Sequence, residues 1–331
     1  MTWQQIDPKQ ILVDKIIANG GWSNTHTHID RSYIINEDNY GKTGDSLFEK
    51  WDHPDEFKKT ATVETIVKHM SMVIENQLAQ GVTSLGSFID CDSIVENKNI
   101  LAAEIIKKKY GDKLDLKFIH QPIKGFFANP EDRVWFEKAA EYVDIIGGLP
   151  ERDSPAKLGQ DKRAEHLDIL FEAGKKFGKP LHVHVDQLNS PDQRDTELLI
   201  EKTREHGYKG KVTAIHCISV AAQEKSYREK IYAGLVEQDI TVIACPTAWI
   251  DSRRSEVLMP GHNSVTPIDE MIPAGVRVAL GTDDIADIYK PFSDGDMWTE
   301  LRVLLEATHT YDIDSLVNIA TTNGRRAMYL G

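Results

Sequence analysis

The chain has 331 residues, 40% hydrophobic and 27% charged, which is ample material for one large core or two ordinary ones. Lysine and arginine number 39 against 52 aspartates and glutamates, and the resulting charge of −13 argues against nucleic acid or an anionic membrane as the main partner. No apolar run reaches spanning length, the opening MTWQQIDPKQ lacks a leader pattern, and the widely spaced Cys91, Cys217 and Cys245 suit reduced thiols in a cytoplasm.

Short β-rich runs alternate with longer helical patterns from one end to the other. Strands are predicted at 22–29, 82–89, 115–122, 143–149, 180–186, 211–218, 240–246 and 276–282. Several are nearly continuous apolar runs, as expected of parallel strands covered on both faces. Amphipathic stretches at 61–80, 97–109, 160–177, 193–206 and 223–237 lie between them, and Gly81, Gly207 and Gly275 fall where helix gives way to strand. Eight such units over this length predict a single α/β domain, residues 1–331, folded as a (β/α)8 TIM barrel. A doubly wound nucleotide-binding sheet is the competitor, but no GxGxxG follows the first strand. The longest irregular piece, roughly 30–60, follows strand one and is expected over the catalytic face as a lid or pocket wall. Residues 3–19 are expected to form a helix, so that 1–20 cover the barrel floor.

In such a barrel, active-site groups come from the C-terminal ends of different strands. His26 and His28, in GGWSNTHTHID, share one face of strand one because strand side chains alternate. His184 closes strand five, His216 strand six and Asp283 strand eight. Any one of these has an ordinary explanation, such as a core histidine or a helix-capping aspartate. Their joint placement at strand ends predicts one shared site. His26, His28, His184 and Asp283 suffice for a mononuclear divalent metal, with zinc fitting best and iron or manganese as alternatives. Water bound there would become acidic enough to attack as hydroxide near neutral pH, with His216 beside it.

This constellation resembles the amidohydrolase superfamily, and within it the branch of cytosine deaminases and N-isopropylammelide amidohydrolases. GTDDIADIYKPFSDGDM (281–297), GGLPERD (147–153), KGFF (124–127) and GYKGKVTAIH (207–216) are similar to segments of that branch, and the similarity covers nearly all of 20–331. The resemblance implies the same four ligands and a His216 that contacts the water or the substrate. It also implies that Gln121 bonds a pyrimidine edge and that Asp284 shapes the pocket. The expected partner is a small cyclic nitrogenous substrate. Related proteins often assemble, so a homo-oligomer is open.

The sequence departs from this pattern in two ways. Where cytosine deaminases carry a proton-shuttling glutamate, this chain has Gln187, an amide that bonds but carries no proton at useful pH. General acid–base work contributes about two to four orders of magnitude, so simple cytosine deamination should be slow unless another group, such as Asp186 or Asp283, stands in. Arg31 occupies the place of a lysine in the N-isopropylammelide branch, either contacting substrate or pairing within the acidic segment 37–57. Secondly, no residues are evident for the flanking β-sandwich usual in these enzymes. The reading is a metal-dependent hydrolase that cleaves a C–N bond by deamination or dealkylation of a pyrimidine- or triazine-like ring. The alternatives are a metal-binding barrel without turnover and a hydrolase of cyclic amides. In the strand-seven loop (247–264), Trp249, Arg253, Arg254 and His262 are within reach of a ligand, although a surface role suits each better.

Overall fold

Nearly every strand position is buried, and burial on both faces is what makes a parallel arrangement favourable. The computed structural model describes residues 6–44, 47–248 and 265–330. Strands β1 (Trp22–Thr27), β2 (Val82–Asp90) and β3 (Asp115–Gln121) form one parallel sheet. Strands β4 (Ile146–Gly148), β5 (Leu181–Val185), β6 (Val212–His216), β7 (Thr241–Ala244) and β8 (Val278–Leu280) form another. Parallel bridges join the two at both seams, Ile119 to Ile145 and Thr27 to Asp283. At those seams Asp144 N–H donates to Phe118 O at 2.8 Å and Asp283 N–H to His26 O at 2.9 Å. The result is a (β/α)8 barrel. All eight predicted strands are present, trimmed by a residue or more at most ends, and among the described residues no strand lies outside these two sheets.

An inner cluster of Phe88, Ile119, Ile145, Ile215, Ile243 and Ala279 fills the barrel, while a larger apolar shell lies between strands and helices. The helix Val63–Ala79 shows how the outer layer is specified. It buries Ile66, Met70, Val73 and Ile74 on one stripe, Thr62 Oγ1 caps it by accepting from Thr65 N–H at 3.2 Å, and it runs out at Gly81, whose φ is 82°.

A helix does form near the start, Pro8–Ala18, burying Leu12 and Ile16. The far end of the chain also reaches the barrel interior. Ala327, in the last helical turn Thr322–Ala327, belongs to the inner cluster, and its carbonyl accepts from His182 Nε2 at 2.8 Å.

The segment after β1 is less irregular than its sequence suggested. It makes short helical turns at Ile29–Arg31, Tyr40–Gly44, Leu47–Lys50 and Asp55–Thr60. Buried Lys58 ties it to the end of β2 through Asp90 at 3.3 Å and Asp92 at 2.5 Å. Most of the strand-seven loop, including Trp249, Arg253, Arg254 and His262, lies outside the described residues.

Candidate active site

Strand β1 reads WSNTHT, yet every residue of it is buried. Burying so much polarity requires a partner for each group. Thr25 Oγ1 donates to Leu280 O at 2.5 Å, Thr27 Oγ1 to Gly86 O at 3.1 Å, and Asn24 Nδ2 to Gln77 Oε1 at 2.9 Å. Asn24 Oδ1 in turn accepts from Thr282 N–H at 3.1 Å, stitching β1 to the chain just beyond β8. This seam sets His26 against Asp283. Gly281 permits the approach, because a Cβ there would lie 2.7 Å from His26 Cβ.

The five predicted residues come together at the C-terminal mouth. Asp283 Oδ1 lies 3.2 Å from His26 Nε2 and 3.3 Å from His28 Nε2. The His26 ring centroid is 4.9 Å from those of both His28 and His184, and the His184 and His216 rings are 5.5 Å apart. All five are buried, and ligand atoms of His26, His28 and Asp283, and of His26, His184 and His216, form two overlapping groups able to hold a metal ion. The chemistry of these donors suits a cation. His184 Nδ1 donates to Gly148 O at 3.1 Å, which leaves Nε2 with a lone pair, buried and without a partner. Burial pushes His26 and His216 down to about 4, and His184 well below its ordinary value, so these rings are neutral near pH 7. Burial pushes the Asp283 carboxyl up, but hydrogen bonds to His26 and His28 outweigh it and hold it well below the usual range. His216 and Asp283 also adopt left-handed backbone, with φ of 74° and 59°. Non-glycine residues avoid that region unless their surroundings impose it, as at many active sites.

Gln187 lines the pocket, but its amide is taken up on one side, where Nε2 donates to Glu151 Oε2 at 2.6 Å. Asp186 is no stand-in acid. Its carboxylate turns away to accept from Asp195 N–H at 2.6 Å and Thr196 N–H at 3.2 Å, capping the helix Asp195–Glu205. Its backbone φ of 54° produces that turn, which strand parity does not foresee.

Arg31 is buried, and its polar partners among the described residues lie outside the segment 37–57. Its Nη2 reaches Asp284 Oδ1 at 2.9 Å, Nη1 reaches Asp90 Oδ1 at 3.1 Å and Gln121 Oε1 at 3.4 Å, and Nε lies 3.6 Å from Asp287 Oδ2. The three residues expected at the substrate thus form one connected group, and all three line the same pocket. Asp287, which the sequence did not single out, is pushed up by burial and by Asp284, while the Arg31 guanidinium holds Asp284 low despite its burial.

The pocket opens above His28, His184, His216 and Asp283. Leu47, Trp51, Ile123, Leu149 and Tyr289 supply apolar and aromatic wall. Leu47 and Trp51 bear out the expectation that the segment after β1 covers this face. None of the five carried a signal of its own in the sequence. KGFF and GGLPERD meet at Asp153, which accepts from Phe126 N–H at 2.9 Å and pairs with His166 Nδ1 at 2.7 Å. Those two motifs therefore build the wall behind β4.

A parallel barrel with imidazoles and a carboxylate converging at its C-terminal mouth has the active-site layout of a (β/α)8 enzyme. A model of the Amidohydrolase family matches residues 111–331. An uncharacterized protein of Haemophilus influenzae is 44% identical over 80% of this chain and 95% of its own. The N-isopropylammelide isopropyl amidohydrolase of Pseudomonas sp. (strain ADP) is 23% identical over 98% of this chain and 76% of its own. The crystal structure of 5-methylcytosine deaminase from Klebsiella pneumoniae with 5-fluorocytosine superposes with a TM-score of 0.86 at 25% identity, covering 94% of this chain and 75% of that one. The chain belongs to the amidohydrolase family and is an enzyme acting on C–N bonds other than peptide bonds. Among the described residues no helix is long and apolar enough to cross a membrane.

Proposed function

We propose that this protein is a metal-dependent aminohydrolase that removes an amine from a carbon of a small pyrimidine- or triazine-like ring. One observation carries the reading: the partnerless, buried Nε2 of His184 beside the His26, His28 and Asp283 cluster. His26, His28, His184 and Asp283 would hold one divalent ion, and three imidazoles with a carboxylate suit zinc, iron or manganese alike. Such an ion, when bound, supplies the Lewis acidity that activates a water nucleophile.

The chain's own residues do the rest. His216, neutral and facing the pocket, stabilises the oxyanion that develops as water adds to the ring carbon. Asp283, held ionised, accepts a proton from the attacking water at its carboxylate and passes it to the amine nitrogen, which leaves as the C–N bond breaks. Gln121 and Asp284, fixed by Arg31, bind the ring's polar edge, and Trp51 and Tyr289 flank it and exclude water. The named activities of the Pseudomonas and Klebsiella relatives support a nitrogenous ring as substrate. The three cysteines are free and buried, which supports a cytoplasmic setting.

The test is metal analysis of the purified protein together with ammonia or amine release from a panel of aminopyrimidines, alkylaminotriazines and cyclic amides. Stoichiometric metal, lost in His184→Ala, and chelator-sensitive turnover of a ring amine are expected. Turnover confined to cyclic amides, or bound metal with no turnover on the whole panel, would overturn the reading in favour of a lactam hydrolase or a non-catalytic binding barrel respectively.

A further inference from the structure

Glu151, just beyond β4, is buried behind Gln187 and receives an amide on each carboxyl oxygen. Gln193 Nε2 donates to Oε1 at 2.8 Å, and that amide cannot be turned over. Its own Oε1 accepts from Leu188 N–H at 3.0 Å and from Ser219 Oγ at 2.8 Å, and a backbone N–H can only donate. Oε2 is different. Its partner is Gln187, whose other amide end is engaged by no protein group among the described residues and whose side chain lines the pocket. Either end of the Gln187 amide can therefore face Glu151.

We propose that Glu151 is a positioning residue that sets which end of the Gln187 amide faces the substrate. With Glu151 ionised, Gln187 Nε2 donates to it and Oε1 is turned to the pocket, matching a ring N–H or amino group. With Glu151 protonated, its O–H donates to Gln187 Oε1 and the NH2 is turned outward, matching a ring nitrogen or carbonyl. No proton leaves Glu151 for the substrate, so the device selects a ring edge and leaves the chemistry to other groups. The inference deepens the ring-aminohydrolase reading and rests on it only for the nature of the ligand.

The surroundings place the switch near working pH. Burial, with the negative charges of Asp195 and Asp186, pushes Glu151 up to about 8, against hydrogen bonding from Gln187 and the opposing charge of Arg163. Lys157 faces the same group from the short helix Pro155–Leu158. Folded Glu151 thus keeps its proton below that value and loses it above.

The deciding experiment is NMR of the full-length protein labelled with ¹⁵N-glutamine, with the Gln187 side-chain signal identified by its loss in Gln187→Glu. In the wild type this NH2 signal is expected to titrate with a midpoint near pH 8, to lie flat in Glu151→Gln, and to move to lower pH by over half a unit in Asp195→Asn. A Gln187 signal flat from pH 6 to 9.5, or an unchanged titration in Glu151→Gln, overturns the proposal. Should Glu151→Gln fail to fold, the wild-type titration and the Asp195→Asn shift decide alone. Calorimetry with cytosine and uracil supplies the ligand arm. Their affinity ratio should change at least fivefold between pH 6.5 and 8.8 in the wild type and stay constant in Glu151→Gln. A constant ratio in the wild type counts against edge selection. Absence of binding by either ring sinks the ring reading, while the NMR titration still decides what Glu151 does.

Discussion

Arg31 Nη2 donates to Asp284 Oδ1 at 2.9 Å, and both side chains are buried at the mouth of the barrel. The same guanidinium holds Asp90 from the end of β2 and lies beside Asp287, so one cation links the outer ends of β1, β2 and β8. Burial opposes the Arg31 charge, but Asp284, Asp90 and Asp287 outweigh it and keep the guanidinium protonated.

Removing that cation strands buried Asp284 and leaves Asp90 with Lys58 as its cation. Arg31→Met should lower the unfolding free energy by about 3–5 kcal/mol, the usual cost of stranding buried charge. Arg31→Lys should recover only part of it, since an ammonium cannot reproduce the planar fork. Urea unfolding of the three proteins checks this, and equal stability of wild type and Arg31→Met would show that the group is not mutually dependent.

Gly281 has no room for a side chain, because an added Cβ would press on His26 Cβ at 2.7 Å. Gly281→Ala should push His26 from its partners and weaken metal binding by at least tenfold, with a stability loss of about 1–3 kcal/mol from overpacking. Competition with a chelating dye reads the first effect and thermal unfolding the second. Undiminished metal affinity would place His26 outside the ligand set.

Buried His120 is pushed down to about 3 by burial and by Lys179, and it accepts from Gly147 N–H at 3.1 Å. A histidine depressed in the folded state contributes stability that is complete above its unfolded value and is lost as pH falls through the folded one. Between pH 6.5 and about 3 it should therefore add up to one proton to the unfolding slope, about 1.4 kcal/mol per pH unit. His120→Asn, which keeps an acceptor for Gly147, should flatten the slope by that amount in denaturant titrations from pH 7 to 4. An unchanged slope would assign the acid lability to other groups.

Local pattern was enough to determine the barrel and the cluster of candidate ligands at its mouth. Strand identity follows from alternating or continuous apolar runs, and strand ends are where a (β/α)8 fold must place its chemistry, so His26, His28, His184, His216 and Asp283 could be read from one dimension. What the residues beside them face is decided by contacts between segments far apart in the chain. Asp186 shares strand parity with His184, yet a left-handed φ of 54° sends its carboxylate to a helix N-terminus. Arg31 pairs across 59 and 253 positions, with Asp90 and Asp284. Gln187 looked like a lost acid in the sequence, and only the fold brings Glu151, 36 positions away, against its amide. Burial raises the cost of every unpaired charge, and which charges find partners is a property of the closed barrel that no stretch of sequence carries alone.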